Sequence, residues 1–346
     1  MNAISNLSKK LWSRMALEQE PAWPGAQQQL KAETCGALLK EGVETLEPLR
    51  AAWCEAVSAQ WGFSGAAGLT ALLLLILAPN YPIAWLTVAG LAALLAWGLS
   101  SKSRRLHKDL CDQFNGWRDN VIREMDKEAS LMPSHCHSQA AFNDSWLNDA
   151  FYNTYGGHNF LSIGNASCSQ LSVQNIYTET YYVTVSTTDS KGNTTYHQEK
   201  RARTMVVPVF DGLFMVMPAP LPYPGTVVLR PKLEGRRASL HVIRTASSKL
   251  TNNYCVGASD RFIGHRALTP SLLVALWDFR QLVPCQPSFS YRDGRLFVVL
   301  PKTSLSFGQP PGLWRPVAAS SLRKVVDDCE HALSFLKNAV KNLMPK

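Results

Sequence analysis

A chain of 346 residues, 46% hydrophobic and 18% charged, has the length of two ordinary domains and too much apolar material to stay disordered throughout. It is also far too long for a disulfide-stapled miniprotein. The formal net charge of +9 is spread unevenly, with a net of +10 on residues 102–346 and −1 on residues 1–101, and residues 56–101 contain no Asp, Glu, Lys or Arg.

In chain order, residues 1–56 read as an N-terminal cytosolic, amphipathic helical region. Leu39, Val43, Leu46, Leu49 and Trp53 recur at helical spacing, with Glu44 and Glu47 off the stripe and Pro48 as a kink point. The apolar run begins too late for a signal peptide. Residues 57–101 predict a transmembrane helical hairpin: one span ends in the aliphatic run 72–77, the second covers 82–99, and the breaker cluster 79–82 turns between them. Trp61, Trp85 and Trp97 are placed as interfacial rings, and Ser64 with Gly68 or Ala89 with Ala93 suits close helix approach. Lys102, Arg104, Arg105 and Lys108 follow the second span while the turn carries no charge, so the positive-inside rule puts both termini in the cytoplasm.

Residues 102–130 predict a cytosolic stalk helix. Leu106, Leu110, Phe114, Trp117, Val121 and Met125 form its apolar stripe, with Lys108, Asp112, Arg118, Asp119 and Glu124 off it. Residues 131–317 form the α+β part. β-branched and aromatic residues crowd into 176–188, the cluster 189–193 turns the chain, and 194–209 returns. Short strands follow at 213–217, 226–229 and 240–243, then a helix opened by Thr269 and Pro270, then a strand pair at 288–291 and 296–300 joined through Asp293 and Gly294. Residues 318–346 form an amphipathic C-terminal helix whose Val326, Cys329, Leu333, Leu336, Val340 and Leu343 are expected to close on the stalk helix of the same chain. The fold class expected is a membrane-anchored α+β protein: a two-helix transmembrane hairpin, an amphipathic stalk, and a cytosolic, mainly antiparallel β domain flanked by helices.

The eight cysteines show no CxxC spacing and are expected to be free thiols of a reducing compartment. His135, Cys136 and His137 are adjacent, yet a zinc site wants four ligands and no second half is evident, so a plain polar loop is expected, with no metal and no cofactor. Asn165 and Asn193 match the glycosylation pattern but are expected to stay on the cytosolic side. The basic balance of residues 102–346 suits an anionic lipid surface better than nucleic acid, because Lys200, Arg201, Arg203, Arg236 and Arg237 sit in no recognisable nucleic-acid module. No phosphate loop, nucleophile elbow, HExxH or kinase set is present. Cys255, Asp260 and His265 are isolated triad parts without the geometry that defines a triad. Arg261, His265 and Arg266 are the candidate ligand-binding residues, with Arg266 expected to pair with Asp260.

Residues 210–217 (FDGLFMVM), 225–229 (GTVVL), 254–256 (YCV), Ser259 with Asp260, 267–270 (ALTP) and 289–296 (FSYRDGRL) resemble a bacterial membrane family known as domain of unknown function 3137. The likeness runs over about residues 57–307, although Gly264, His265 and Arg266 stand where that family suggests an alanine–arginine pair. The resemblance implies two membrane spans ahead of the shared region, hence a multi-pass protein of the bacterial inner membrane, and supplies no catalytic residue. The expected function is a non-catalytic interaction or scaffold module with a protein partner beside the lipid bilayer. A domain binding an anionic lipid headgroup or nucleotide is the alternative, a hydrolase with an unrecognised site the third reading, and homo-oligomers fit any of them.

Overall fold

A computed structural model describes residues 32–77, 82–188, 192, 194–219, 225–234 and 239–344. In chain order the elements are α1 (Ala32–Leu77), α2 (Pro82–Met125), β1 (Ala129–Met132), α3 (Gln139–Asp144), β2 (Thr154–Ile163), β3 (Ala166–Thr188), β4 (Thr194–Pro218), β5 (Thr226–Pro231), β6 (His241–Val242), α4 (Ser248–Asn253), β7 (Tyr254–Ala258), α5 (Arg261–Ala267), α6 (Pro270–Leu282), β8 (Ser288–Arg292), β9 (Arg295–Pro301) and α7 (Ala319–Leu343). The described residues fall into two compact units, one built from residues up to 131 together with 306–334, the other from 132–305 together with 335–344.

The first unit is helical. Along α1, Cys35, Leu38, Leu46 and Ala56 are buried, and along α2, Leu110, Phe114, Trp117 and Val121, at the three- and four-residue steps that keep side chains on one helix face. The buried stripe of α1 runs through Leu38 and Gly42, one residue before the Leu39 and Val43 of the sequence reading, because Gly42 provides the closest approach. A Cβ on Gly42 would lie 2.9 Å from the Trp117 ring and 2.8 Å from Leu322 of α7. Trp117 Nε1 in turn donates to the Leu38 carbonyl at 3.0 Å. The first turn of α7 thus approaches α1 at Gly42.

Residues 306–318 cross this unit as a strap held by two arginines. Arg50 donates to the Leu313 carbonyl at 2.7 Å and forks onto Glu47, which also accepts the Val317 N–H at 2.7 Å. The Arg50 hydrogen bonds hold the Glu47 carboxyl below the usual carboxylate range. Arg118, placed off the apolar stripe from sequence, is buried. Its guanidinium donates to the carbonyls of Phe307 (3.0 Å) and Gly308 (3.2 Å) and to Asn115 Oδ1, and it stacks on Phe114 at 4.8 Å.

The expected transmembrane hairpin does not stand. Among the described residues, no helix is long and apolar enough to cross a membrane. This overturns the membrane-anchored fold class, the multi-pass inner-membrane placement, and the orientation of the termini derived from it. The reason is that freedom from charge is not the same as hydrocarbon character. Residues 56–70 include Ser58, Gln60, Ser64 and Thr70 as well as Gly62, Gly65 and Gly68, and each helix runs on from its uncharged part into a charged, amphipathic part. The Thr70 hydroxyl donates back to Ala66 and that of Ser101 to Trp97, as polar side chains on helices do. Trp61 and Trp97, expected as interfacial rings, are exposed on α1 and α2, and Lys102, Arg104 and Arg105 are exposed on α2. The side chain of Trp85 and most of the expected turn at 79–82 lie outside the described residues.

The second unit is built on a sheet in which its strands run in the order β2-β3-β4-β9-β8-β5-β7-β6, antiparallel at each pairing. Both faces are covered at its centre, since Leu296, Phe297, Val298, Val299 and Leu300 of β9 are buried in succession. One face gathers Phe142 of α3 with Leu171, Val173, Phe214, Phe297 and Val299. Leu272, Leu273, Leu276 and Phe279 form the buried side of α6, with the Phe279 ring 6.1 Å from that of Phe289. That helix starts as expected: the Thr269 hydroxyl accepts the Leu272 N–H and Pro270 opens the first turn.

Gly157 of β2 pairs with Leu171 where the backbone of β3 comes too close for a side chain. A Cβ there would sit 2.2 Å from the Gln170 carbonyl oxygen and 2.8 Å from Cys136 Cβ. Gly157→Ala is therefore expected to cost about 2–3 kcal/mol through overpacking, read as a lower urea midpoint with unchanged slope. An unchanged midpoint would show that β2 shifts freely on β3.

Candidate interaction site

The feature that sets this unit apart is the length of β3 and β4. β2 pairs with β3 only as far as Gln174, and β9 pairs with β4 only from Gly212 onward. Beyond those limits, residues 175–188 and 194–207 pair with each other and, among the described residues, with no other strand. A register shift between Val173 and Gln174 marks the root, where Gln174 faces Pro208. A bulge raises local twist and redirects the strands, and proline offers no N–H to a neighbour. The result is a two-stranded arm about 40 Å long at the usual strand rise.

Its register sorts the side chains onto two faces. One face carries the opposed pairs Tyr177–Met205, Glu179–Arg203, Tyr181–Arg201, Val183–Glu199 and Val185–His197. Arg203 bonds Glu179 at 2.8 Å and lies over the Tyr181 ring at 5.4 Å, while Arg201 bonds Glu199 at 2.8 Å. These ion pairs are half exposed, so they order the face more than they stabilise it. The other face pairs Ile176–Val206, Thr178–Thr204, Thr180–Ala202, Tyr182–Lys200, Thr184–Gln198 and Ser186–Tyr196. Tyr182 and Tyr196 are 65% and 74% exposed, and Tyr177, Tyr181, Val206 and Val207 are exposed as well. Large tyrosine surfaces at low entropy cost are typical of recognition patches.

The residues singled out from sequence do not form a cleft. Arg261, His265 and Arg266 all lie exposed on the short helix α5. The Asp260 carboxylate caps that helix, accepting from Phe262 N at 2.7 Å and Ile263 N at 3.3 Å. A small apolar dimple at the other flank of α5 is lined by Gly225, Val227, Ile263, Ala267, Leu272 and Tyr291, and none of the three basic candidates reaches it.

His137 is where the expectation of a plain polar loop fails. Its ring is buried between Phe160 and Phe214, with Nδ1 2.7 Å from Ser169 Oγ and Nε2 2.9 Å from Ser167 Oγ. Its carbonyl accepts the Tyr155 hydroxyl at 2.7 Å. Burial pushes the imidazole down to about 4 and raises the neighbouring Cys136 thiol. The ring bonds two serines and no carboxylate, so it is oriented as a neutral core group. Among the described residues, no three His, Cys, Asp or Glu side chains come together as metal ligands, and the eight thiols are free. Sequence gave no sign of this burial, because the serines that satisfy the ring lie some 30 positions away on β3. The arm did have a signal, the uninterrupted β-branched and aromatic run of 176–188, but its lack of flanking strands did not show there.

Fold and surface together define an antiparallel-sheet protein with a long two-stranded arm that pairs with no other described strand. Residues 208–343 match the model of a family described as "Protein of unknown function (DUF3137)". The match begins at the root of the arm and runs through α7, farther toward the C-terminus than the resemblance read from sequence. Among curated proteins, none matches this chain. A solved structure, described as the crystal structure of the mycobacterial trehalose monomycolate transport factor A, TtfA, is similar with a TM-score of 0.31 and 9% identity, over 66% of this chain and 95% of that one. A likeness at that level bears on neither the fold nor the function of this chain.

Proposed function

We propose that the protein is a non-catalytic interaction module whose recognition element is the β3–β4 arm. The observation that carries this reading is the stretch 175–207, two strands whose tyrosines and valines are exposed on both faces. An isolated two-stranded ribbon is at best marginally stable in water, so an arm of this length is completed by something that covers it. Exposed strand edges invite strand addition, in which main-chain hydrogen bonds supply affinity and alternate side chains supply selectivity. The rival ligand-binding reading would need Arg261, His265 and Arg266 to line a cleft, and their side chains lie exposed on α5, outside the lining of the dimple beside it.

Photo-crosslinking in cells tests this. A benzoylphenylalanine at Tyr182 is expected to give a discrete protein adduct, and the same probe at Arg261 none. Adducts from position 261 alone would overturn the arm as the recognition element and favour α5.

A further inference from the structure

The two edges of the arm are chemically unlike. The β4 edge carries Lys200, Arg201 and Arg203 against a single Glu199, and has Pro208 at its root. Lysines, arginines and prolines on an edge are the usual devices that stop strands from pairing. The β3 edge has none of them. Residues 176–188 are Ile, Thr, Tyr, Val and Ser apart from Glu179, with no Lys, Arg, Pro or Gly over 13 positions. A long, β-prone and nearly uncharged edge is a template for another strand of the same kind.

Resting on the reading of the arm as the recognition element, we infer that its occupant is a second copy of this chain, joined β3 to β3 in antiparallel register about a two-fold axis near Tyr182. Three observations converge on the second copy. In that register Glu179 of one chain faces Val185 of the other, so the lone charge of the edge never meets itself. Like-charge repulsion instead disfavours joining two β4 edges, because the basic cluster Lys200, Arg201 and Arg203 of one chain would lie beside that of the other. The Asn153 side chain already bonds the N–H and C=O of Ile176, so pairing along the rest of the edge turns two marginal two-stranded ribbons into one four-stranded sheet with about ten new main-chain hydrogen bonds, using a self-complementary surface that closes at two. An interface of one strand edge per chain is small, so association lies in the micromolar range rather than below it.

Sedimentation equilibrium of the full-length chain from about 1 to 100 μM reads the result. The expected outcome is a reversible transition from 38.3 kDa to twice that mass. Thr180→Lys with Thr184→Lys places lysines opposite one another across the two-fold and should weaken dimerisation at least tenfold. Gln198→Lys with Thr204→Lys, on the already basic β4, should change it less than threefold. Circular dichroism of both double variants establishes that the fold is retained. A dimer as strong in the β3 variant as in the wild type, or weakened equally by both pairs, overturns the β3 pairing. A monomer at every concentration overturns the second copy as occupant, while the crosslinks from Tyr182 still decide independently whether the arm binds another protein.

Discussion

Phe114→Ala is expected to cost about 3–5 kcal/mol, the range for emptying a buried aromatic site. The Phe114 side chain is fully buried, its ring centroid lies 6.0 Å from that of Trp117, and it carries the Arg118 guanidinium on its face. Removing it therefore opens a cavity in the helical unit and also strips the stacking partner from a buried cation. Among the described residues Arg118 donates to neutral acceptors, the carbonyls of Phe307 and Gly308 and the side chain of Asn115, and burial already depresses its pKa. A buried charge that loses one of few compensating contacts is costly. The helical unit should melt roughly 10–20 °C lower at that cost. Phe114→Leu should recover about half of the loss, because part of the volume is restored. If Phe114→Ala melts with the wild type, the strap and α7 do not depend on this stack and the account of the helical unit fails.

Acid should destabilise the sheet unit through His137. The folded imidazole titrates near 4, against 6.5 for an ordinary histidine, because burial disfavours the charged form. Between those values the unfolded chain binds a proton that the folded chain does not. The stability held by the neutral ring is thus complete above pH 6.5 and drains away as pH falls from 6.5 toward 4, by roughly 3 kcal/mol in all. The groups facing the ring offer no compensation: Ser167 and Ser169 can turn to accept from an imidazolium, but Phe160 and Phe214 are apolar and Tyr155 donates to the backbone carbonyl. His137→Gln keeps a hydrogen-bonding side chain without this titration. The stability gap between wild type and variant, measured by urea denaturation at each pH, should move by about 3 kcal/mol in favour of the variant between pH 7 and pH 4. Parallel pH curves for the two proteins would show that His137 does not titrate in this range.

The helical periodicity of residues 106–125 and the β-branched runs from 176 onward were readable directly, since both depend on local steps of 3.6 and 2 residues. So were the Thr269–Pro270 helix start and the Asp293–Gly294 turn, each a matter of adjacent residues. The reading of 57–101 as membrane spans went wrong by counting charges without weighing the serines, threonines, glutamine and glycines among them. The family resemblance was legible from short strings around 210–229 and 289–296, where turns and strands constrain residue type.

What lay beyond the sequence shares one physical cause: burial is a property of neighbours that are distant along the chain. Arg118 looked like a solvent-facing residue until Phe307 and Gly308, 189 and 190 positions on, closed over it. His137 looked like part of a polar loop until Ser167, Ser169, Phe160 and Phe214 enclosed it. The extended conformation of 176–188 followed from β-branched and aromatic side chains alone. That this stretch stands clear of every other described strand did not, because it depends on where β2 and β9 stop pairing, and strand ends are decided by the packing of the sheet as a whole.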